Sequence, residues 1–212
     1  MDAIRADDLI GLFQSWRDMF AEQREFLIAL DGKVGDSDLG ITMAKSFAAA
    51  FDTVTAEGEG AGLTKLLRSV GAIMAKTAPS TMGTLTATGF LRGAKALDGI
   101  EAIGTPEAAA FWRAFATGIA ERGKAKLGDK TILDVLDPVA GALEAAAASG
   151  QALAPAMSAA ADAADAALEA TKAMVAQHGK AAAFQEKTRG LQDAGATVGV
   201  LLVRTMSEFV SR

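Results

Sequence analysis

Apolar residues recur along this chain at three- and four-residue steps, with charged and small polar residues between them. The first stripe is Leu9, Leu12, Phe13, Trp16 and Phe20, continuing through Phe26, Leu27 and Leu30 until Gly32 and Gly35. That is the period of an amphipathic helix, with Asp7 or Asp8 available to cap it. Ile41, Met43, Ala44, Phe47 and Phe51 predict a second helix, closed by the glycines from Gly58 to Gly62. Leu63 to Thr77 predicts a third, ended by Ala78-Pro79. A Gly- and Thr-rich stretch, Ser80 to Gly89, then runs into Phe90-Leu91 and a fourth helix that ends near Asp98-Gly99. Thr105-Pro106-Glu107 reads as a helix start, with a hydroxyl cap, a proline where no amide is needed, and an acid in the first turn. That fifth helix carries Phe111, Trp112, Phe115 and Ile119 as far as Gly123. The sixth runs from about Ile132 to Ser149 and the seventh from about Pro155 to Val175. Asp162, Asp165 and Glu169 mark an exposed stripe on the seventh. The eighth spans Gly195 to Val210. With short loops and no convincing strand pair, the expectation is an all-α bundle in a single domain, residues 1–212.

Composition sharpens this picture. Half of the 212 residues are apolar and 48 are alanine, with four prolines and no tyrosine, which favours helices packed closely through small side chains. Mean hydropathy is +0.23, so a core is affordable and disorder is excluded. The absence of cysteine removes disulfides, thiolate metal sites and cysteine nucleophiles. A net charge of −5 argues against nucleic acid as a partner. The opening MDAIRADDLIGLF carries early acids and no signal-peptide pattern. No stretch approaches the roughly 20 uncharged apolar residues of a membrane helix. The expected setting is cytoplasmic, with no membrane partner.

The chemistry concentrates in the loops. Leu30-Asp31-Gly32-Lys33-Val34-Gly35-Asp36-Ser37-Asp38-Leu39-Gly40-Ile41-Thr42 puts three carboxylates directly before a helix. Carboxylate oxygens are the hard ligands Mg²⁺ prefers, and the amides of Leu39 to Thr42 would face an anion at the helix N-terminus. An EF-hand is excluded: the third position is Lys33, the sixth Asp36 instead of glycine, and the twelfth Thr42. No Walker A or dinucleotide-binding fingerprint is present. Taken alone, the loop leaves helix capping and a divalent-metal site both open.

Two further loops join it. Gly123-Lys124-Ala125-Lys126-Leu127-Gly128-Asp129-Lys130-Thr131-Ile132-Leu133-Asp134 follows the fifth helix, and Gly190-Leu191-Gln192-Asp193-Ala194-Gly195-Ala196-Thr197 precedes the eighth. In order and spacing the three loops resemble the L subunit of dihydroxyacetone kinase, whose patterns are L-D-x-x-I-G-D-x-D-H-G, R-G-K-A-x-x-G-D-K-T-M-x-D and G-x-Q-D-P-G-A. The resemblance covers essentially the whole chain. It implies a closed barrel of eight antiparallel amphipathic helices holding ADP or ATP at one end. It further implies that Asp31, Asp36 and Asp38 ligate two Mg²⁺ ions and that Leu39, Gly40, Ile41 and Thr42 line the phosphates. By the same resemblance Thr81 and Met82 contact nucleotide, Gly123 and Ile132 border the adenine, and Asp193, Ala194 and Gly195 lie on the ribose side. Lys180 aligns with a basic residue of the family's G-R-A segment. The implied partners are a K subunit that holds the ketose on a histidine and, in some systems, a phosphohistidine donor protein; homodimerisation stays open. No residue of this chain is assigned a catalytic base.

This chain also departs from the family. Leu39 stands where the family's first pattern has histidine and Leu191 where its G-H-Q-D segment has one, Pro79-Ser80-Thr81-Met82-Gly83 replaces a Gly-Gly-x-Ser-Gly turn, Lys180 replaces arginine, and Ala194 replaces proline. The expectation is the nucleotide-binding subunit of a dihydroxyacetone-kinase-like phosphotransferase, with dihydroxyacetone or another small ketose as acceptor; the altered phosphate end keeps a non-catalytic nucleotide-binding regulator as the alternative. The remaining conspicuous residues are read structurally. His178 is a solvated residue after the seventh helix, Trp16 and Trp112 pack in the core, and small apolar residues fill the interior in preference to a lipid. For Lys130 and Arg189, a surface role and a contact with phosphate or donor protein stay equally open.

Overall fold

Each predicted amphipathic stripe winds into a helix in the computed structural model, which describes residues 1–212 apart from the side chain of Glu59. The helices are α1 (Ala6–Glu22), α2 (Arg24–Asp31), α3 (Leu39–Glu57), α4 (Leu63–Thr77), α5 (Thr81–Ala96), α6 (Thr105–Gly123), α7 (Leu133–Ala148), α8 (Leu153–Thr171) and α9 (Ala194–Val210). Every helix from α3 onward packs on its successor, and α9 returns to α1, which in turn packs on α3. The result is a closed ring of eight helices, with α2 lying outside it against α3.

Alternating helix direction sorts the loops to two ends. Residues 32–38, 78–80, 124–132 and 172–193 share one end, so α3, α5, α7 and α9 all begin there. At the other end Thr105 Oγ1 donates to the Gln151 carbonyl at 2.7 Å and Thr64 Oγ1 to that of Leu97 at 2.7 Å. The chain ends meet there too: the Met1 ammonium donates to the Val210 carbonyl at 2.8 Å.

Aromatic rings occupy the ring's interior. Phe90 touches Phe13, Trp16, Phe47, Phe111 and Phe115, while Phe20 stacks on Phe47 at 4.5 Å between centroids. Trp16 and Trp112 are buried as expected, and Trp16 Nε1 donates to the Leu202 carbonyl at 2.9 Å, tying α1 to α9. Buried alanines such as Ala108, Ala116, Ala140, Ala156, Ala160 and Ala164 line the seams, where a short side chain lets helices close. The acidic stripe of α8 is on the surface, and its Asp165 pairs with Arg204 of α9.

The structure corrects six local expectations. The first stripe is two helices, because Gln23 leaves helical geometry (φ −80°, ψ 2°) and α2 turns so that Leu27 and Leu30 stay buried. Its cap also differs: Asp8 sits inside the first turn and accepts the Arg5 N–H at 2.8 Å. The fourth predicted helix starts at Thr81 instead of near Phe90, since Ser80 caps it by accepting the Gly83 N–H at 3.1 Å. Its Gly89 and Gly93 lie flush against Phe115 and Phe111 of α6, so they are close-packing positions and not breakers. Thr105 is not a cap, since its hydroxyl serves Gln151 while Glu107 accepts the Gly104 N–H at 3.0 Å. Finally, a two-residue antiparallel bridge, β1 (Ile4–Arg5) with β2 (Ala102–Ile103), closes the end where α1 and α6 begin, and the α8–α9 connection is long, with a 3₁₀ stretch at Lys180–Thr188.

Candidate functional site

The acidic loop folds around its own first carboxylate. Asp31 ends α2, and its Oδ2 accepts the Asp38 N–H at 3.1 Å, which draws the start of α3 back over it. Gly35 passes so close to the Asp31 carboxylate that a Cβ there would collide with it. Ser37 adopts φ +63°, a strained setting for a residue with a side chain. Asp38 occupies the N-cap position of α3 but makes no side-chain cap bond, so the capping explanation fails for it. One carboxylate oxygen from each of Asp31, Asp36 and Asp38 lies within 4.8 Å of the others. Among the described residues no other group of three His, Asp or Glu is gathered this way.

Such a cluster carries an electrostatic penalty. Burial, then the neighbouring charges of Asp36 and Asp31, raise the Asp38 carboxyl above its ordinary range, and Lys180 opposes the shift. Lys180 forms an ion pair with Asp36 across most of the chain's length, and its hydrogen bond to that carboxylate holds its ammonium above the usual lysine range. Beside the carboxylates, the N–H groups of Leu39, Gly40 and Ile41 open the first turn of α3, which leaves no intrahelical acceptor for them. Leu39, Gly40 and Thr42 are buried and Ile41 is exposed; Leu39 faces the core, so only its backbone serves the loop. Gly40 lies flush on the Arg24 carbonyl of α2. Mutually repelling carboxylates beside free amides fit a divalent cation carrying an anionic tail.

The other predicted positions come to the same end of the ring. Thr81 is exposed and Met82 half-buried in the first turn of α5. The Met82 methyl lies 3.0 Å from where a Cβ on Gly195 would stand, and the Ile132 nitrogen lies 3.7 Å from that point. Gly123 abuts Leu85 of α5. Ile132 turns its side chain into the core against Gly199, and its backbone reaches this junction. Asp193 caps α9 by accepting the Ala196 N–H at 2.6 Å, with Ala194 half-buried beside it. Burial pushes the Asp193 carboxyl up to about 6, against the pull of that N–H and of Lys130.

Sequence reasoning missed the knot behind these loops. Lys130 is buried, in left-handed geometry (φ +60°), and its Nζ donates to the carbonyls of Thr171 (2.9 Å), Met174 (3.3 Å) and Leu191 (2.8 Å). It is therefore neither a surface residue nor free for phosphate, and burial lowers its pKa. Arg189 is exposed and pairs with Glu186 while donating to the Ala173 carbonyl. Asp134 accepts the N–H groups of Gly128 (2.6 Å) and Thr131 (2.7 Å). His178 is not merely solvated: its Nε2 meets Asp129 Oδ2 at 2.8 Å, and Lys126 N–H donates to the same oxygen at 2.9 Å. Burial pushes the Asp129 carboxyl up, but those bonds and the nearby cations outweigh it and hold the group below the ordinary carboxylate range. An open groove of about 640 Å³ runs past this pair, lined by Lys124, Lys126, Leu127, Gln177 and His178 among others. The signal in the sequence was the run of glycine, acid and threonine between Gly128 and Asp134, where short side chains bond their own backbone.

Known proteins share both sequence and architecture with this chain. The family described as DAK2 domain matches residues 33–208. Over 190 residues, 90% of either chain, the sequence is 30% identical to "PEP-dependent dihydroxyacetone kinase, ADP-binding subunit DhaL" of Escherichia coli (strain K12). Over 185 residues, 87% of either chain, it is 33% identical to "PEP-dependent dihydroxyacetone kinase 1, ADP-binding subunit DhaL" of Listeria innocua serovar 6a. Among solved structures, the dihydroxyacetone kinase from C. freundii in complex with AMP-PNP and Mg2+ superposes with a TM-score of 0.71 at 24% identity. That match covers 94% of this chain and 33% of the other, so this chain spans about a third of that kinase.

Proposed function

The chain belongs to the DAK2-domain family, and on that premise we propose that it is the nucleotide-holding subunit of a dihydroxyacetone-kinase-like phosphotransferase. One observation carries the reading: three carboxylates within 4.8 Å, none of the kind that caps α3, beside the open amides of its first turn. In this reading Asp31, Asp36 and Asp38 hold two Mg²⁺ ions, and the N–H groups of Leu39 to Ile41 receive the phosphates of ADP or ATP. Bound Mg²⁺ supplies positive charge to the phosphate oxygens. Lys180 adds a cation on the far side, Thr81 and Met82 flank the tail, and Gly123 and Ile132 border the base. Asp193, Ala194 and Gly195 form the ribose side. This chain orients the donor and shields it; the acceptor is a small ketose carried by a partner K subunit. The donor is ATP itself or a phosphohistidine protein that recharges resident ADP, and the assembly is cytoplasmic.

Phosphoryl transfer asks little covalent chemistry of the protein, so positioning and charge suffice. Isothermal titration of ADP or ATP in the presence of Mg²⁺ tests the proposal. We expect binding by the wild type and its loss in the Asp36→Ala/Asp38→Ala double variant. No binding at all, or binding unchanged in that variant, overturns it.

A second reading, a non-catalytic nucleotide-binding regulator, draws on Leu39. Its side chain is buried in the core, so no imidazole stands at the phosphate mouth where the family's pattern has one. Ketose phosphorylation by the chain reconstituted with its K subunit decides between the two: turnover eliminates the regulator, and nucleotide binding without turnover eliminates the kinase.

A further inference from the structure

Lys180 stands at the start of an exposed 3₁₀ stretch inside the long α8–α9 connection, which contains a left-handed Gln185 (φ +47°). A connection of that length does not by itself fix one ammonium over one carboxylate, because its backbone runs over the surface with few neighbours. Something must aim it. The connection closes on itself where the Ala176 N–H donates to Thr188 Oγ1 at 2.9 Å. It is then fastened to the α6–α7 loop at two adjacent residues. Gln177 N–H donates to the Asp129 carbonyl at 3.0 Å, and His178 Nε2 meets the Asp129 carboxylate at 2.8 Å. An ionised carboxylate only accepts, so the ring presents Nε2–H to it. Asp129 is buried and doubly held by Lys126, whose carbonyl accepts its N–H at 3.2 Å and whose N–H it accepts at 2.9 Å. Next to it, Lys130 anchors the same loop to carbonyls on both flanks of the connection. Two residues span at most about 7 Å of extended chain, so fixing His178 confines the Lys180 backbone to a small volume.

From this chain of contacts we infer that His178 is a positioning residue, and that the Asp129–His178 clamp aims the Lys180 ammonium at the acidic cluster and at the phosphates bound there. The inference rests on the functional reading above for the phosphates, but not for the clamp, which stands on the protein's own contacts at Asp129, Gln177 and His178. Gly179, with φ +64° and ψ −160°, provides the turn between clamp and cation.

Four proteins test it: His178→Ala, His178→Gln, Lys180→Met and the His178→Ala/Lys180→Met double variant. Without metal or nucleotide, amide hydrogen exchange at Gln177, whose N–H donates to the Asp129 carbonyl, is expected to speed up about tenfold or more in His178→Ala and to return toward wild type in His178→Gln, which keeps an N–H donor. In titrations with Mg²⁺ and ADP, Lys180→Met is expected to weaken binding about tenfold and His178→Ala about threefold. The double variant is expected to be no weaker than Lys180→Met alone, because the clamp acts only through that cation. Losses that multiply in the double variant, or a His178→Ala protein with wild-type exchange and affinity, overturn the inference. A wild type that binds no ADP would sink the functional reading instead, and the exchange data would then decide the clamp by themselves.

Discussion

Lys130 and Asp193 are neighbours with opposite problems: one is a cation, the other an anion, each drawn out of water at the site's back wall. Lys130 is satisfied by three carbonyls from distant residues, so Lys130→Met leaves those acceptors facing an apolar stem. The expected loss is about 2–4 kcal/mol in chemical denaturation, with the helical circular-dichroism signal retained below the transition. Asp193 reads out through pH. Its folded value of about 6 lies above the unfolded carboxylate value, so the native state binds a proton that the unfolded chain has lost. Its contribution to stability therefore falls as pH rises from about 4 to about 6, by at most about 3 kcal/mol, and is flat above that. Asp193→Asn keeps an oxygen for the Ala196 N–H and should flatten melting temperature across that window. Asp129 works in the other direction: its lowered carboxyl adds stability above about 4 that is lost only on further acidification. These residues also show where reading the sequence stops. Asp31, Asp36 and Asp38 were legible because acid, glycine and helix start lie within a few positions of one another. Lys130 and His178 were misread because their partners are Thr171, Leu191 and Asp129, and no local pattern records those meetings.

Helices with a heavy apolar stripe, such as α1, α4 and α9, were legible from spacing alone, since burial of that stripe is what stabilises them. The start of α5 was not, because its Thr and Gly content lowers helix propensity. What overrides propensity there is a partner: Phe111 and Phe115 of α6 need a flat surface, and Gly89 and Gly93 supply it. The cap does the rest. Ser80→Ala removes the acceptor for the Gly83 N–H and should cost about 1 kcal/mol, read as a lower midpoint in urea with unchanged slope. The break at Gln23 and the bridge between β1 and β2 escaped for a different reason, namely that two residues are too few to carry a period. Ion pairs between helices, such as Arg113 with Asp137 and Glu144, sit on the rim of the ring and are each worth no more than about 1 kcal/mol.

Four helix N-termini gather at the end that holds the carboxylates, so the backbone itself supplies partial positive charge opposite the acidic loop. Segregating the loops this way leaves the other end free of every candidate site residue. The beginning and end of the polypeptide belong to that quiet end, held in contact by Met1 and Val210. A short glycine linker could therefore splice Arg212 to Met1, and the backbone could be reopened between Asp98 and Gly99, on the exposed turn after α5. We expect such a circular permutant to melt cooperatively and to bind Mg²⁺-ADP within about threefold of the parent, as titration would report. The order in which the helices are threaded is then a historical accident of this ring, and the mouth that gathers the three carboxylates would survive a different starting point.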